Sequence, residues 1–485
     1  MSEGPTGSRT QVAGFKVQSA NHYTIEPYIL TFSISAHTYT MAEVQMTAYD
    51  IVIFGASGFT GKHVVREALK FLSPNSPLKS LALAGRNLSK LSETLKWASK
   101  SPPTIPLLVA DTSDTSSLRR MASQAKLVLN CVGPFRLHGD PVVDACVEAG
   151  CDYLDICGEP EFMERIEAVY HEKAVETGSL VISACAFVSI AAEFGFLFNS
   201  RQWVSPAAPN RVQAYLQLKR IVANFATYES AVLGFANADN LIKLRRSGSR
   251  RARPSIPGYA PTKGSIIEYQ KQLGLWALNL ASADATVVRR TLSILAENPT
   301  GLHGVNEDPK VADKRIAFWS IVKPAHFGLV KIGSKKLLGL LPWIAIGLSL
   351  MRLSGSSLGR WFLLTFPSVF SLGVFTNKGP TKEELESASF KMWFVGHGFS
   401  DANLASQRNA TPDTEIITRV TGPDVGYLTT SIILVQCALI ILERRGDLPK
   451  GGVLTPGIVF GPTNLQDRLQ ENGVSFDMIS KTQLF

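Results

Sequence analysis

A glycine-rich run, Gly55-Ala56-Ser57-Gly58-Phe59-Thr60-Gly61, has the spacing G-x-x-G-x-x-G and follows the apolar residues 51–54. The apolar run predicts a strand and residues 63–71 have helical spacing, so the glycines lie at a strand-to-helix turn. Glycines there permit the tight turn, let the backbone approach an anion and allow the helix to pack on the strand. Because the N-terminus of the helix then faces the anion, the run predicts a loop that binds the pyrophosphate of a dinucleotide.

The end of the second predicted strand indicates which dinucleotide is bound. That strand ends in Ala84-Gly85-Arg86-Asn87, with Lys90 close behind, at a place where an acidic residue would favour NAD. Arg86 can bind a 2′-phosphate through two hydrogen bonds and Asn87 can add others, so the sequence favours NADP(H). NAD(H) stays open, because Arg86 could equally be a surface arginine at the start of a helix.

Two further strand ends complete the predicted cofactor site. Asp111 ends the third strand, where it lies near the adenine or caps a helix, and Asn130-Cys131-Val132-Gly133 end the fourth. Open α/β sheets bind ligands at the carboxyl ends of their strands, so we expect backbone groups of 130–133 beside the nicotinamide. The predicted cofactor-binding residues are Gly55, Ala56, Ser57, Gly58, Phe59, Thr60, Gly61, Arg86, Asn87, Asp111, Asn130, Cys131, Val132 and Gly133.

The sequence assigns no catalytic residue. Tyr215 and Lys219 have the spacing Tyr-x-x-x-Lys, but they fall in an alternating segment, where four residues of strand separate them by roughly 13 Å. Asp155 and Glu159 follow the fifth strand and are candidates for contact with substrate or cofactor, or else for capping their own loop. The six cysteines lack the spacing of a metal site, so no metal is predicted.

The order of the predicted elements gives the domain organisation. Short apolar strands alternate with helices over 48–200, which predicts an α/β fold with a Rossmann-type, doubly wound parallel sheet. A period of two begins at residue 212 and predicts an inserted α+β domain, 201–420, with a mostly antiparallel sheet. Residues 421–485 are expected to return to the first domain. The N-terminal extension, 1–47, is predicted to be disordered.

Residues 337–375 contain two uncharged arms of fifteen residues, 337–351 and 361–375. Each arm is shorter than the roughly 20 apolar residues that span a bilayer. The two arms together predict a helical hairpin that dips into a membrane or a lipid monolayer, with lysines at its ends as interface anchors. The alternatives are a pair of buried helices or the surface of a homodimer. The apolar run 428–442 is interrupted by polar residues and predicts a core helix.

Charge and cysteine content limit the class of protein. The net charge of +9 is concentrated in Lys243, Arg245, Arg246, Arg250, Arg251 and Arg253. Ser247, Gly248 and Pro254 lie among these residues, which predicts a loop and no nucleic-acid-binding groove. Six cysteines without paired spacing favour a reducing intracellular compartment.

As a set, several stretches resemble the saccharopine dehydrogenase-like oxidoreductases, and the resemblance covers about residues 49–480. It implies a Rossmann domain, an inserted substrate domain and a returning C-terminal segment. Members are associated with membranes, mitochondria or lipid droplets, and bacterial relatives act as enoyl reductases in glycolipid synthesis. The resemblance therefore implies an NADP(H)-dependent oxidoreductase with a lipid-like substrate, attached to a lipid-droplet or mitochondrial membrane. The stretches are Gly55 to Gly61 with Arg86, Asn130-Cys131-Val132-Gly133-Pro134-Phe135, Tyr153-Leu154-Asp155-Ile156-Cys157-Gly158-Glu159, Thr227-Tyr228-Glu229-Ser230 and Gly451-Gly452-Val453-Leu454-Thr455-Pro456.

The chain departs from this family after the sixth strand. The family pattern Gly-Phe-Asp-Ser-x-Pro is replaced by Ala186-Phe187-Val188-Ser189-Ile190-Ala191. Loss of the glycine removes access to positive φ, and loss of the proline loosens the turn. Cofactor binding survives such changes more readily than turnover does. The alternative function is therefore a weakly active or inactive nucleotide-binding scaffold or sensor at a membrane.

Overall fold

Alternating strands and helices make up the first part of the chain. The computed structural model describes residues 48–248, 251–262, 264–407 and 410–484, so the predicted N-terminal extension 1–47 lies outside the described residues. In chain order the elements are β1 (Tyr49–Phe54), α1 (Phe59–Leu69), β2 (Leu81–Gly85), α2 (Leu88–Ala98), β3 (Leu107–Val109), α3 (Thr115–Ser123), β4 (Ala125–Asn130), α4 (Phe135–His138), α5 (Asp140–Ala149), β5 (Asp152–Asp155), α6 (Pro160–Thr177), β6 (Leu180–Ile182) and α7 (Phe187–Ser200).

The rest of the chain mixes longer strands with helices. Its first elements are β7 (Ala208–Lys219), β8 (Ala223–Asn224), α8 (Phe225–Ala236), α9 (Ala238–Ser247), β9 (Ile267–Gln270), β10 (Leu275–Asn279), α10 (Asp284–Glu297), α11 (Pro309–Ile321), β11 (His326–Phe327) and β12 (Lys331–Ser334). Then follow α12 (Leu341–Leu353), α13 (Ser357–Thr365), α14 (Pro367–Phe370), β13 (Phe375–Thr376), α15 (Lys382–Ser387), β14 (Ser389–Phe399) and β15 (Thr414–Gly422). The last elements are α16 (Thr430–Arg444), β16 (Gly452–Leu454), α17 (Pro456–Phe460), α18 (Leu465–Glu471) and β17 (Ser475–Gln483).

A seven-stranded parallel sheet has the order β16-β6-β5-β4-β1-β2-β3. Ile51, Val52 and Ile53 of β1 are completely buried, because helices cover both faces of a parallel sheet. The strand order reverses between β1 and β4, which places the ligand crevice of a doubly wound sheet beside these two strands. The predicted Rossmann-type fold is confirmed.

A second, mostly antiparallel sheet has the order β17-β15-β14-β7-β12-β10-β9, with β11 also paired to β7. Strands β7 and β14 pair in register, with Leu216 opposite Met392. The period of two in β7 places Val212, Ala214 and Leu216 in the main hydrophobic core, which also contains Phe194 and Phe196 of α7. Helix α7 therefore links the two sheets.

The C-terminal segment contributes to both sheets. Strand β16 pairs with β6, and α16 packs against α1, as expected for a segment that returns to the first domain. Strand β17 instead pairs with β15 and forms the edge of the second sheet. Strand β15 extends across the expected boundary at residue 420, so the segment after it is continuous with the second sheet.

One helical stretch in the described part of the chain, Val425–Asp447, is long and apolar enough to cross a membrane. Its most apolar window is 72% buried, and α16 within it carries Ile433, Leu434 and Cys437 into the core. This stretch is therefore the core helix that the sequence predicts at 428–442.

Part of the basic cluster that was predicted as a loop is helical. Lys243, Arg245 and Arg246 lie in α9, where Arg245 pairs with Glu164 of α6 at 2.5 Å. Arg251 pairs with Glu167 of the same helix at 2.6 Å, while Arg250 lies outside the described residues. The loop prediction was wrong for 243–247, because acidic side chains of α6 provide a surface on which the basic helix docks.

Candidate cofactor site

The glycine-rich loop joins β1 to α1 in the geometry that a pyrophosphate requires. Gly55 has φ of +79°, and a Cβ on Gly61 would lie 2.1 Å from the Gly55 carbonyl oxygen, so neither position tolerates a side chain. Helix α1 begins at Phe59, and no side chain in the described part of the chain caps its first turn. The N–H groups of that turn are thus available to an anion, and the residues present fit a dinucleotide phosphate.

Arg86, Asn87 and Asp111 lie at the carboxyl ends of β2 and β3, on the same edge as the glycine loop. Arg86 is exposed, and the Asn87 side chain accepts a 3.0 Å hydrogen bond from Lys90 N, which caps α2. Asp111 accepts hydrogen bonds from the backbone and hydroxyl of Ser113, which lower its pKa, and the nearby charge of Arg86 acts in the same direction. Arg86 is free to meet a 2′-phosphate, whereas the oxygen of Asn87 is already used.

The residues after β4 meet the glycine loop directly. A Cβ on Gly55 would lie 2.6 Å from Val132 Cγ2, and Cys131 N donates to Phe54 O at 2.9 Å. Burial raises the pKa of Cys131 to about 12, so its thiol stays neutral. Gly133 is exposed at the mouth of the crevice. The structure thus brings the ends of β1 and β4 together, as the sequence predicts.

The side chain of Asn130 supports this edge from inside. Its amide nitrogen donates to Tyr153 Oη at 3.0 Å and its oxygen accepts from Val132 N at 2.9 Å. Tyr153 Oη in turn donates to Asp155 at 3.0 Å, and Ser183 Oγ donates to the same carboxylate at 2.8 Å. Burial raises the pKa of Asp155 to about 6. This buried network fixes the loops after β4 and β5. Its polar groups bind one another and therefore do not point into the crevice.

Glu159 also serves the scaffold. Its two carboxylate oxygens accept hydrogen bonds from the backbone N–H groups of Phe135, at 2.9 Å, and Arg136, at 3.1 Å. These are the first N–H groups of α4, which have no partner within the helix. The structure favours a scaffold role for both residues: Asp155 accepts hydrogen bonds from Cys157 N of its own loop and from Ala184 N, whereas Glu159 holds the start of the neighbouring helix α4.

The segment 186–191, which departs from the family pattern, contains a residue with positive φ, but this residue is not the one at position 186. Ala186 has φ of −139°, an extended conformation that needs no glycine. The positive φ falls on Ser189, at +106°, where Asp284 accepts a hydrogen bond from the backbone N–H at 2.9 Å. Because residue 186 does not adopt a positive φ, replacing a glycine there by Ala186 does not strain the backbone.

Helix α8 lies across the crevice, and sequence reasoning missed this position. Immediately before it, Asn224 N donates to Tyr427 Oη at 2.6 Å, and the Tyr427 ring lies 4.7 Å from that of Phe59 in the glycine loop. Near its end, Leu233 O accepts a 3.1 Å hydrogen bond from Arg136, just after the β4 loop. The stretch Thr227-Tyr228-Glu229-Ser230 marks the helix, but nothing in its spacing indicates which strands it covers.

Comparison with known proteins agrees with this site. Residues 51–182 match the family model described as the saccharopine dehydrogenase NADP binding domain. The chain is 63% identical over 441 residues to a probable mitochondrial saccharopine dehydrogenase-like oxidoreductase of Arabidopsis thaliana, covering 89% of this chain and 97% of the relative.

Two animal relatives extend the comparison. Identity is 35% over 449 residues to the saccharopine dehydrogenase-like oxidoreductase of Mus musculus, covering 90% of this chain and 98% of the relative. It is 31% over 457 residues to the lipid droplet localized protein of Caenorhabditis elegans, covering 90% and 100%. The glycine loop with Arg86 and the family match together identify NADP(H) as the cofactor. This chain belongs to the saccharopine dehydrogenase-like oxidoreductase family.

Proposed function

We propose that this protein is an NADP(H)-dependent oxidoreductase that acts on a lipid-like substrate at the surface of a membrane or a lipid droplet. The observation that carries the proposal is an exposed apolar surface on the helices of residues 337–375, joined by α8 to the cofactor crevice. We call this surface the apolar face.

The apolar face is formed by α12, α13, α14 and their connections. Leu338, Met351 and Val369 are 72%, 73% and 66% exposed. Helix α12 also buries Ile346 and Leu350 on its other side, so it is apolar all round. Such a helix is stable at a surface when a second apolar phase covers its exposed side. Other exposed members of the face are Leu337, Leu341, Leu348, Leu358, Trp361, Phe362, Phe366 and Leu372.

The charges around the apolar face suit a lipid surface. Arg352 and Arg360 are the charged residues between positions 337 and 375, and no Asp or Glu occurs there. The exposed Lys335, Lys336 and Lys378 flank the segment. Cations at the rim and aromatic side chains on the face are typical of helices that lie in a membrane interface. With 13 residues, α12 is about 20 Å long, which is too short to cross a bilayer.

Helix α8 connects the apolar face to the cofactor site. Its Tyr228 and Val232 pack in one hydrophobic cluster with Ile346 and Leu350 of α12 and Leu363 of α13. The end of the same helix is fixed to the β4 loop through Arg136. Helix α8 therefore lies between the helices of the apolar face and the cofactor crevice.

The chain's own residues would bind and orient the cofactor. The first turn of α1 would hold the pyrophosphate, and Arg86 the 2′-phosphate. When bound, NADPH supplies a hydride and NADP⁺ accepts one. The names of two relatives, one mitochondrial and one localized to lipid droplets, support a mitochondrial membrane or a lipid droplet as the location.

A flotation experiment with matched variants tests lipid attachment. The test variant replaces three exposed residues of the apolar face, Leu338→Glu, Met351→Glu and Val369→Glu. The control replaces three equally exposed apolar residues elsewhere, Val169→Glu, Val204→Glu and Ile266→Glu. We expect wild type and control to float with phosphatidylcholine–phosphatidylserine vesicles and the test variant to stay at the bottom of the gradient. Equal flotation of all three would contradict the proposal.

A second copy of the chain is the other partner that the apolar face could bind. In that case the test variant would change the molecular mass in solution, measured by light scattering without lipid, and leave flotation unchanged. The oxidoreductase part is tested by NADPH oxidation, followed as nicotinamide absorbance, with lipid ketones, aldehydes and enoyl esters presented in vesicles. NADPH binding without oxidation of any of them would favour the scaffold or sensor.

A further inference from the structure

The placement of α8 draws attention to Glu229, the carboxylate near the middle of the helix. The residue before α8 contacts Tyr427, whose ring meets Phe59 of the glycine loop edge-on, and the Leu233 carbonyl near the end of α8 accepts a hydrogen bond from Arg136, which follows the loop after β4. The helix therefore lies over the gap between β1 and β4. That gap is the crevice in which a doubly wound sheet binds its ligand.

Glu229 is on the crevice side of α8. Tyr228 and Val232 face the hydrophobic cluster of α12 and α13, whereas Glu229 and Leu233, four residues apart, share another face. The charges that act on Glu229 come from His138 at the end of α4 and from Glu159 after β5. Both residues belong to loops at the carboxyl edge of the parallel sheet, so the Glu229 carboxylate overhangs this edge.

The environment of Glu229 differs from that of the other carboxylates at the edge. Glu159 accepts two backbone hydrogen bonds and Asp111 accepts two from Ser113, so both are occupied. No hydrogen bond from a described residue shifts the pKa of Glu229. Burial raises that pKa above the usual 4.5, the charge of His138 opposes the shift and the charge of Glu159 adds to it. Unlike Glu159 and Asp111, Glu229 is therefore available to exchange a proton.

We propose that Glu229 contacts the nicotinamide end of the crevice and exchanges the proton that accompanies hydride transfer. This inference rests on the proposed oxidoreductase function. In the reducing direction, the substrate carbon would gain a hydride and its two electrons from bound NADPH, which would become NADP⁺. The O–H bond of the Glu229 carboxyl breaks, and its proton bonds to the substrate atom that carries the developing negative charge. The Glu229 carboxylate then regains a proton from water.

Binding of the two cofactor forms tests this placement without a known substrate. The nicotinamide ring is cationic in NADP⁺ and neutral in NADPH, so an adjacent carboxylate favours NADP⁺. A charge pair near a protein surface of this kind corresponds to about a tenfold difference in dissociation constant. The full-length chain is titrated with NADPH by nicotinamide fluorescence, and NADP⁺ is measured by competition, over about pH 5 to 8.5.

We expect the preference for NADP⁺ over NADPH to increase with pH as Glu229 ionises. The other charged groups nearby are Arg136 and Glu161 of the neighbouring loops, which lie 3.5 Å apart, and Arg352 and Arg360 on the helices behind α8. Glu229→Gln should lower the preference about tenfold above neutral pH and flatten its pH dependence. Glu229→Asp should restore part of both effects.

Glu386→Gln on α15 is the matched control, because it removes an exposed carboxylate and the same net charge. The thermal melting temperature of each variant confirms that it is folded. An unchanged NADP⁺ to NADPH ratio in Glu229→Gln would overturn the assignment, as would an equal loss of affinity for both forms. Wild-type protein that binds neither form would overturn the proposed function itself, and with it this inference.

Discussion

At the residue scale, the glycine loop is the feature most tightly constrained by packing. A side chain on Gly61 would collide with a backbone carbonyl, which cannot move unless the whole turn shifts. Binding at the neighbouring strand ends depends on individual side chains such as Arg86 and Asp111. Their positions were predictable because each lies at the end of a strand. The hydrogen bond that occupies the Asn87 oxygen was not predictable, because it depends on the rotamer. The buried network of Asn130 was not predictable either, because its partners lie on strands distant in sequence.

The variant Gly61→Ala tests the loop. We expect a loss of NADPH affinity of about tenfold or more and a loss of about 1–3 kcal/mol in the free energy of unfolding, because the added Cβ overpacks the turn. Gly347→Ala in α12 is the control, since a Cβ there has no neighbour within 4 Å. The control should bind NADPH normally. Unchanged NADPH binding by Gly61→Ala would show that the loop does not hold the cofactor.

A second prediction concerns Glu193, which is completely buried in α7 and accepts hydrogen bonds from Thr291 and, at 2.8 Å, from Gly457 N. Burial raises its pKa to about 7, whereas an unfolded glutamate titrates near 4.5. The folded state therefore binds the extra proton between these pH values, and its stability falls as pH rises through this window. The loss is roughly 3 kcal/mol at most.

Glu193→Gln should remove this part of the pH dependence, because the amide does not ionise; its oxygen can accept from Gly457 N while its nitrogen donates to the Thr291 hydroxyl. The measurement is urea unfolding of wild type and variant at pH 5 and pH 8. An equal fall in the free energy of unfolding for both proteins would contradict the assignment of this ionisation to Glu193.

At the element scale, one arginine strengthens the attachment of the C-terminal segment to the parallel sheet. Arg445 Nε donates to Asp152 at 2.6 Å, and its other nitrogens donate to the backbone carbonyls of Gly178, Pro449 and Lys450. Burial raises the pKa of Asp152, and the charge of Arg445 counteracts the shift. This contact holds the short strand β16 beside β6.

Arg445→Ala leaves the buried Asp152 carboxylate without its partner. We expect the free energy of unfolding to fall by about 2–4 kcal/mol. The neighbouring Arg444 forms a looser pair with Asp447 at 3.5 Å, so Arg444→Ala should cost under about 1 kcal/mol. Chemical unfolding measures both. A similar, small effect of the two substitutions would show that Arg445 is not what holds β16.

The elements illustrate what a single sequence can reveal. The strands and helices of 48–200 followed from local apolar spacing, and the period of two located β7 correctly. The position of α8 over the crevice and the return of β17 to β15 depend on contacts between residues far apart in sequence, such as Phe59 with Tyr427 and Asn224 with Tyr427. Local periodicity carries no information about such pairings.

At the scale of the whole molecule, the net charge of +9 and the cationic rim of the apolar face act together. We expect flotation with vesicles to increase with the fraction of phosphatidylserine and to decrease as salt is raised from about 0.05 M to about 0.5 M, since the screening length shortens from more than 10 Å to a few ångströms. Flotation that is equal with neutral and anionic vesicles at both salt concentrations would limit attachment to the apolar side chains alone.

The proposed oxidoreductase function depends on NADP(H) binding at the crevice beside β1 and β4. The most direct test is a titration of full-length wild type and Arg86→Ala with NADPH and with NADH, followed by nicotinamide fluorescence, with Lys96→Ala in the following helix α2 as control. We predict that wild type and control prefer NADPH, and that Arg86→Ala loses about tenfold or more in NADPH affinity while NADH binding barely changes. Equal losses for both nucleotides, or no NADPH binding by wild type, would contradict it.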